Sequence, residues 1–177
     1  MQKPFEGKQT VRTIFSVEEG QARVHEIGCD IGKAYSDRDH LIVLGVLKGS
    51  FIFLADLVRC IPISLQVDFL ITSSYGGNKV SSNELQLLYI PTADLTGRAV
   101  LIVEDIVDSG TTLNELIPLL EAYKPRSIEV CALLHKRVAK IGIPPRWVGF
   151  DAPDKFLVGY GLDHAEDFRH LPYIASL

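Results

Sequence analysis

The sequence predicts an α/β protein with a mainly parallel central sheet flanked by helices. Two observations predict it. Apolar runs of strand length, Leu41–Leu47 (LIVLGVL), residues 100–103 and residues 127–134, read as strands buried on both faces. Between them lie segments with apolar residues at helical spacing, so strand and helix alternate along the chain.

The elements follow in order. Residues 1–16 read as a short extended segment anchored by Val11, Ile14 and Phe15. Ser16 and Glu19 have the spacing of a capping box, and Val24, Ile27, Ile31 and Ala34 continue it as an amphipathic helix over 17–36. After a polar turn at 37–40, the strand Leu41–Leu47 ends in Lys48-Gly49-Ser50 and passes into an apolar helix, Phe51–Cys60, closed by Pro62. Lys48 at such a turn is placed to meet an anion, although an exposed loop lysine would look the same. Residues 65–72 alternate as a strand. Residues 73–83, rich in Gly, Ser and Asn, form a hairpin loop of the length of a lid, and 85–90 is the returning strand.

The stretch 100–113, VLIVEDIVDSGTTL, organises the rest. A buried strand meets two carboxylates, Glu104 and Asp105, then a third, Asp108. Ser109-Gly110-Thr111-Thr112 leads into a helix over 111–123 with Leu113, Leu116, Ile117 and Leu120 on one face. Free amides and the positive helix dipole make this an anion site. Carboxylates beside it would repel a phosphate unless a cation lies between, so the pattern favours a ligand bearing both a monophosphate and a Mg²⁺-bound group. A plain capped turn is the ordinary alternative.

Beyond the break at Lys124-Pro125, the strand 127–134 ends in His135-Lys136-Arg137, and Lys136 stands at a C-terminal strand end, where ligand groups cluster in open α/β sheets. Residues 147–150 and 156–158 read as short strands around a proline-bearing turn at 151–155, and a polar tail follows to 177.

With 177 residues, 47% hydrophobic and 23% charged, the chain is one globular domain. A net charge of −4 argues against a sequence-independent nucleic-acid binder. The first ten residues carry no apolar signal segment, and no apolar run approaches the roughly 18 to 20 residues that span a bilayer. Three widely separated cysteines, Cys29, Cys60 and Cys131, read as reduced core residues of a cytoplasmic protein. The five histidines show no zinc spacing.

The string VLIVEDIVDSGTTL closely resembles the diphosphoribosyl-binding motif of the type I phosphoribosyltransferases. With LKGS, SSYG, HKR, DKFLVGYGLD and DFR in the same order, the resemblance extends over nearly the whole chain and points to the hypoxanthine-guanine branch. It implies the type I phosphoribosyltransferase fold, with a core of about 17–145 and a small hood from about 1–16 and 146–177. It further implies a Mg²⁺-dependent transfer from phosphoribosyl pyrophosphate to a 6-oxopurine in a cytoplasmic homodimer or homotetramer, with neither nucleic acid nor membrane as partner.

On the same resemblance, Glu104 and Asp105 hold ribose hydroxyls and metal, and Ser109, Gly110, Thr111 and Thr112 hold the 5-phosphate. Asp108 acts at purine N7. Lys48, Gly49 and Arg169 meet pyrophosphate, with a non-proline cis peptide at Leu47–Lys48. Ser74 and Tyr75 open a mobile loop over the ribose. Lys136 bonds the oxygen at purine position 6, Phe156 stacks on the base, Leu157 offers backbone atoms, and Asp163 is the second metal contact. Ser109 and Gly161 fall where relatives vary, and Asp151-Ala152 is an uncommon spelling. Two rivals share the central motif: a pyrimidine or adenine phosphoribosyltransferase, which Lys136 and the Phe156 tail fit poorly, and a nucleic-acid-binding regulator, which the acidic composition disfavours.

Overall fold

A computed structural model describes residues 12–73, 86–89, 91–136 and 141–177. Six strands form the large sheet, in the order β4-β3-β2-β5-β6-β7. They are β2 (Leu41–Leu47), β3 (Leu65–Ser73), β4 (Gln86–Tyr89), β5 (Ala99–Val107), β6 (Ser127–His135) and β7 (Trp147–Asp151). All neighbours pair parallel except β3 and β4. The chain steps outward from β2 to β3 on one side and from β5 through β6 to β7 on the other. The order therefore reverses between β2 and β5, and that gap is where an open α/β sheet binds ligands, beyond the strand C termini.

Alternation sorts the side chains between the two faces. Leu41, Val43, Leu101, Val103, Cys131 and Leu133 face α1 (Val17–Ala34) and α2 (Phe51–Cys60), through Val24, Ile27, Ile31, Phe53, Leu54 and Leu57. Ile42, Leu44, Val100, Ile102, Val130 and Ala132 face α3 (Thr111–Glu121), through Leu113, Leu116, Ile117 and Leu120. Central strands covered on both faces are apolar throughout, which is why these runs are so plain in the sequence. The capping box at α1 is formed as expected, with Ser16 Oγ accepting from the Glu19 amide at 3.2 Å and Glu19 Oε2 from the Ser16 amide at 2.8 Å.

Three differences from the sequence reading emerge. β5 does not stop at Val103 but runs to Val107, still paired with β6, so Glu104 and Asp105 lie within the strand. Residues 147–151, expected in the cover, are instead the edge strand of the large sheet, with Cys131 opposite Trp147 and His135 opposite Asp151. Cys131 is fully buried, whereas Cys29 and Cys60 are only half-buried, and all three are free thiols.

A second sheet of three short antiparallel strands, in the order β1-β9-β8, joins β1 (Arg12–Phe15), β9 (Ile174–Ser176) and β8 (Leu157–Val158). Its register sets Arg12 opposite Ser176 and Leu157 opposite Ser176 on the other side. Phe15 stacks on Phe150 of β7 at 4.1 Å, which fastens this sheet to the large one.

One buried charge holds the far side of the large sheet. Asp68, on β3 and 7% exposed, accepts hydrogen bonds from the amides of Phe69, Thr92 and Ala93 and from the Thr92 hydroxyl. Burial pushes its carboxyl upward, but these donors outweigh it and the net shift is downward from 3.8. The ionised form is therefore bound more tightly in the folded chain. Its contribution is complete above the unfolded value and is lost as acid carries the pH down through the lowered one. Asp68→Ala should destabilise the protein by about 2 kcal/mol or more near neutral pH, since it strands partly buried amides. In urea unfolding, the gap from wild type should shrink once the pH falls below about 3.8.

Candidate active site

The C-terminal ends of β2, β5 and β6 and the segment after β8 bring the predicted residues together. At β5, Glu104 continues the face of Val100 and Ile102, and Asp105 continues the face of Leu101 and Val103. The two carboxylates thus flank the strand on opposite sides. Burial, and then the neighbouring Asp105 charge, hold the Glu104 carboxyl well above the usual carboxylate range. Burial raises Asp105 too. The amides of Ile106 and of Asp105 itself pull it back, as does Arg169, while Asp163 adds to the rise.

Asp105 lies directly on the turn after β2. A Cβ built at Gly49 would stand 1.7 Å from Asp105 Oδ2, so any other residue there would have to displace that carboxylate. The Leu47–Lys48 peptide of the same turn is cis, as the resemblance implies. Beyond β5, Gly110 takes the left-handed conformation (φ 86°) and starts α3. Ser109 Oγ accepts from the Thr111 amide at 3.3 Å and meets Thr111 Oγ1 at 2.9 Å. The N-cap Gly110 offers no side chain, so apart from the Thr111 amide, which Ser109 engages, the first-turn amides and dipole of α3 face the loop 108–112, the geometry of an anion cradle.

On the other flank, Lys136 and Asp108 meet: Nζ donates to Oδ2 at 3.0 Å, and the Lys136 amide donates to the Val107 carbonyl at 2.9 Å. The Lys136 side chain is 17% exposed and that of Asp108 is 62% exposed. Phe156 is 56% exposed, far more than a core phenylalanine, with its ring edge-on to His164 at 5.2 Å. Leu157 is buried in β8.

Arg169 donates from Nη1 to the Gly161 carbonyl and pairs through Nη2 with Asp163, both at 2.8 Å. Lys48 Nζ donates to Glu166 Oε1 at 3.0 Å. Ser74 and Tyr75 lie outside the described residues.

Three contributors escaped the sequence reading. Gly161, with φ 104°, lets the C-terminal segment sit on the turn after β2, because a Cβ there would meet the Gly49 carbonyl at 2.1 Å. Tyr160 beside it donates to Asp56 of α2 at 2.6 Å. Glu166 bonds both Lys48 and Arg169. The glycines either side of Tyr160 were the one local signal that the backbone is in close contact there.

Among the described residues no three His, Cys, Asp or Glu side chains form a metal cage. Glu104 and Asp105 nonetheless suit a divalent cation. They are buried acids short of positive charge, and Mg²⁺ is commonly held by one or two carboxylates together with substrate oxygens.

Buried acids, an open helix terminus and cationic arms gather around the sheet's switch point, an arrangement that suits a phosphorylated ligand. Comparison with known proteins narrows this. The family model for the phosphoribosyl transferase domain matches residues 16–165. Hypoxanthine phosphoribosyltransferase of Escherichia coli (strain K12) is 40% identical over 172 residues, covering 96% of this chain and 97% of the relative. Hypoxanthine-guanine phosphoribosyltransferase of Bacillus subtilis (strain 168) is 44% identical over 167 residues, covering 94% and 92%. The crystal structure of a hypoxanthine-guanine phosphoribosyltransferase from Bacillus anthracis, with HEPES in its active site, superposes with a TM-score of 0.87 at 39% identity, covering 95% of this chain and 99% of that one. The chain belongs to the phosphoribosyltransferase family, and its relatives place it in the hypoxanthine-guanine branch.

The raised Glu104 carboxyl has a measurable consequence for the free protein. Glu104 binds its proton more tightly folded than unfolded, so stability is complete below the unfolded value of 4.5 and declines as the pH rises toward the folded one. Glu104→Gln removes that decline, which for one proton amounts to at most about 1.4 kcal/mol per pH unit. Thermal unfolding without substrate or divalent cation, from about pH 5 to about pH 8, should show wild type losing Tm relative to Glu104→Gln. Parallel curves would remove the assignment.

Proposed function

We propose that the protein transfers the 5-phosphoribosyl unit of phosphoribosyl pyrophosphate to N9 of a 6-oxopurine, hypoxanthine or guanine, forming IMP or GMP and releasing pyrophosphate. The observation that carries this reading is the pairing of Lys136 with Asp108 at 3.0 Å on adjacent strand ends. An ammonium has donors and no acceptor, so Lys136 suits an exocyclic oxygen at purine position 6 and disfavours an amino group. Asp108 is within reach of N7 as general base or hydrogen-bond partner. The exposed ring of Phe156 offers a stacking face for the base, with Leu157 backbone atoms beside it.

In this reading the amides of Ser109, Gly110, Thr111 and Thr112 take the 5-phosphate at the start of α3, and Glu104 and Asp105 take the ribose hydroxyls. Lys48, the Gly49 backbone and Arg169 take the leaving pyrophosphate. Positive charge develops on the ribose as the bond at C1 lengthens, as in glycoside cleavage, and the buried acids stabilise it electrostatically. Glu104, Asp105 and Asp163 would hold a Mg²⁺ ion, which would supply Lewis-acid chemistry for the diphosphate charge. The β1-β9-β8 sheet is the hood.

We further assign the protein to purine salvage in the cytoplasm. The free cysteines are in keeping with a reducing compartment, and no described helix is long and apolar enough to cross a membrane. A homodimer or homotetramer is supported by an apolar face. Val67 and Phe69 on β3, Tyr89 on β4 and Phe51 at the start of α2 are all exposed. The net charge of −4 is in keeping with small-molecule substrates and not with nucleic acid.

A spectrophotometric assay with phosphoribosyl pyrophosphate, Mg²⁺ and, separately, hypoxanthine, guanine, xanthine and adenine tests the reading. Nucleotide should form from hypoxanthine or guanine, adenine should be inert, and EDTA should abolish the reaction. Silence with every oxopurine would refute it.

A second test addresses the base pocket. Lys136→Gln replaces donors with an amide that can also accept, so kcat/KM for the oxopurine should fall roughly 10-fold or more while discrimination against adenine narrows. An unchanged preference would take Lys136 out of the base pocket.

A further inference from the structure

Lys48 and Arg169 come from parts of the chain far apart in sequence, and one carboxylate joins them. Glu166 Oε1 accepts from Lys48 Nζ at 3.0 Å, and Oε2 lies 3.4 Å from Arg169 Nη2. The bond from Lys48, its charge, and then Arg169 hold the Glu166 carboxyl below its usual range, so it is an anion at neutral pH. Its own amide donates to Asp163 Oδ2 at 2.9 Å, and Asp163 is in turn paired with Arg169 at 2.8 Å. The backbone turns sharply through Ala165 (φ 52°) and Glu166 (φ 66°), between paired His164 and Asp167. The closed turn thus places the carboxylate within reach of both cations.

Two oxygens of one anion reaching two cations is also how a diphosphate would engage Lys48 and Arg169. We infer that Glu166 is an internal counter-anion of the pyrophosphate site: it occupies both cations while the site is empty and weakens the hold on pyrophosphate by competing for them. The inference rests on the assignment of Lys48 and Arg169 to pyrophosphate.

A ligand that binds only when an internal competitor has moved aside has its apparent affinity reduced by the fraction of time the competitor is bound. Glu166 and Lys48 are largely solvent-exposed, each side chain at 66%, so the competition is modest and sensitive to salt. The consequence falls on the product side. Pyrophosphate leaves into water as Glu166 returns to Lys48 and Arg169.

The test measures inhibition by Mg²⁺-pyrophosphate, competing with phosphoribosyl pyrophosphate, in wild type, Glu166→Gln and Lys48→Gln. Glu166→Gln keeps the shape and removes the charge, so its Ki for pyrophosphate should fall roughly three- to tenfold. The effect should shrink at high ionic strength, while KM for the purine base stays unchanged. Lys48→Gln should raise Ki. An unchanged or raised Ki in Glu166→Gln, beside a raised Ki in Lys48→Gln, overturns the counter-anion role alone. Ki unchanged in both variants overturns the pyrophosphate assignment and the inference with it.

Discussion

Two adjacent carboxylates in β5, just past its last β2 partner at Val103 and still paired with β6, impose the main constraint on this molecule. Glu104 is only 6% exposed, and neither it nor Asp105 has a lysine or arginine bonded to it among the described residues. Isolated carboxylates in a low-dielectric interior resist ionisation, so the strand end stores a demand for positive charge. The surroundings are arranged around that demand. Gly49 brings bare backbone against Asp105, Arg169 and Lys48 stand at a distance as arms, and α3 aims its dipole at the neighbouring loop. A ligand combining phosphate, hydroxyls and a divalent cation would answer every one of these at once, which no single ion would.

The switch in strand order explains why such distant residues meet. Lys48 leaves β2, Asp105 and Asp108 stand on and just after β5, and Lys136 leaves β6, all at the same edge of the sheet. Parallel pairing guarantees that successive strand ends point the same way, so their loops share one crevice without further design. After β8, Gly161 lets the C-terminal segment rest on the turn that carries Lys48.

The central strands and helices were legible in the sequence because burial on two faces leaves an uninterrupted apolar record, as in Leu41–Leu47, and because Ser16 and Glu19 mark a helix start chemically. The acid pair and the loop 108–112 were legible too, since charge directly after such a run is conspicuous. The true length of β5 was not. Its pairing with β6 continues through Glu104 and Asp105, and backbone hydrogen bonds leave no trace in side-chain polarity. Nor did the run at 147–150 reveal which sheet it would join, since a short apolar strand fits either. Glu166 was invisible for a plainer reason. An acid 118 residues from its lysine looks like any surface charge until the chain has folded.

The pairing of β1 with β9, Arg12 opposite Ser176, carries a temporal meaning. The large sheet is complete once β7 has been made at Asp151, but the strand that holds Leu157 has no partner until Ile174–Ser176 exists. On a ribosome the large sheet therefore takes shape while the small sheet is still waiting for its last strand. Because β1 joins the same strand, residues near Arg12 stay unpaired for nearly the whole of synthesis. The small sheet behaves like a clasp closed last, uniting two regions separated by most of the chain.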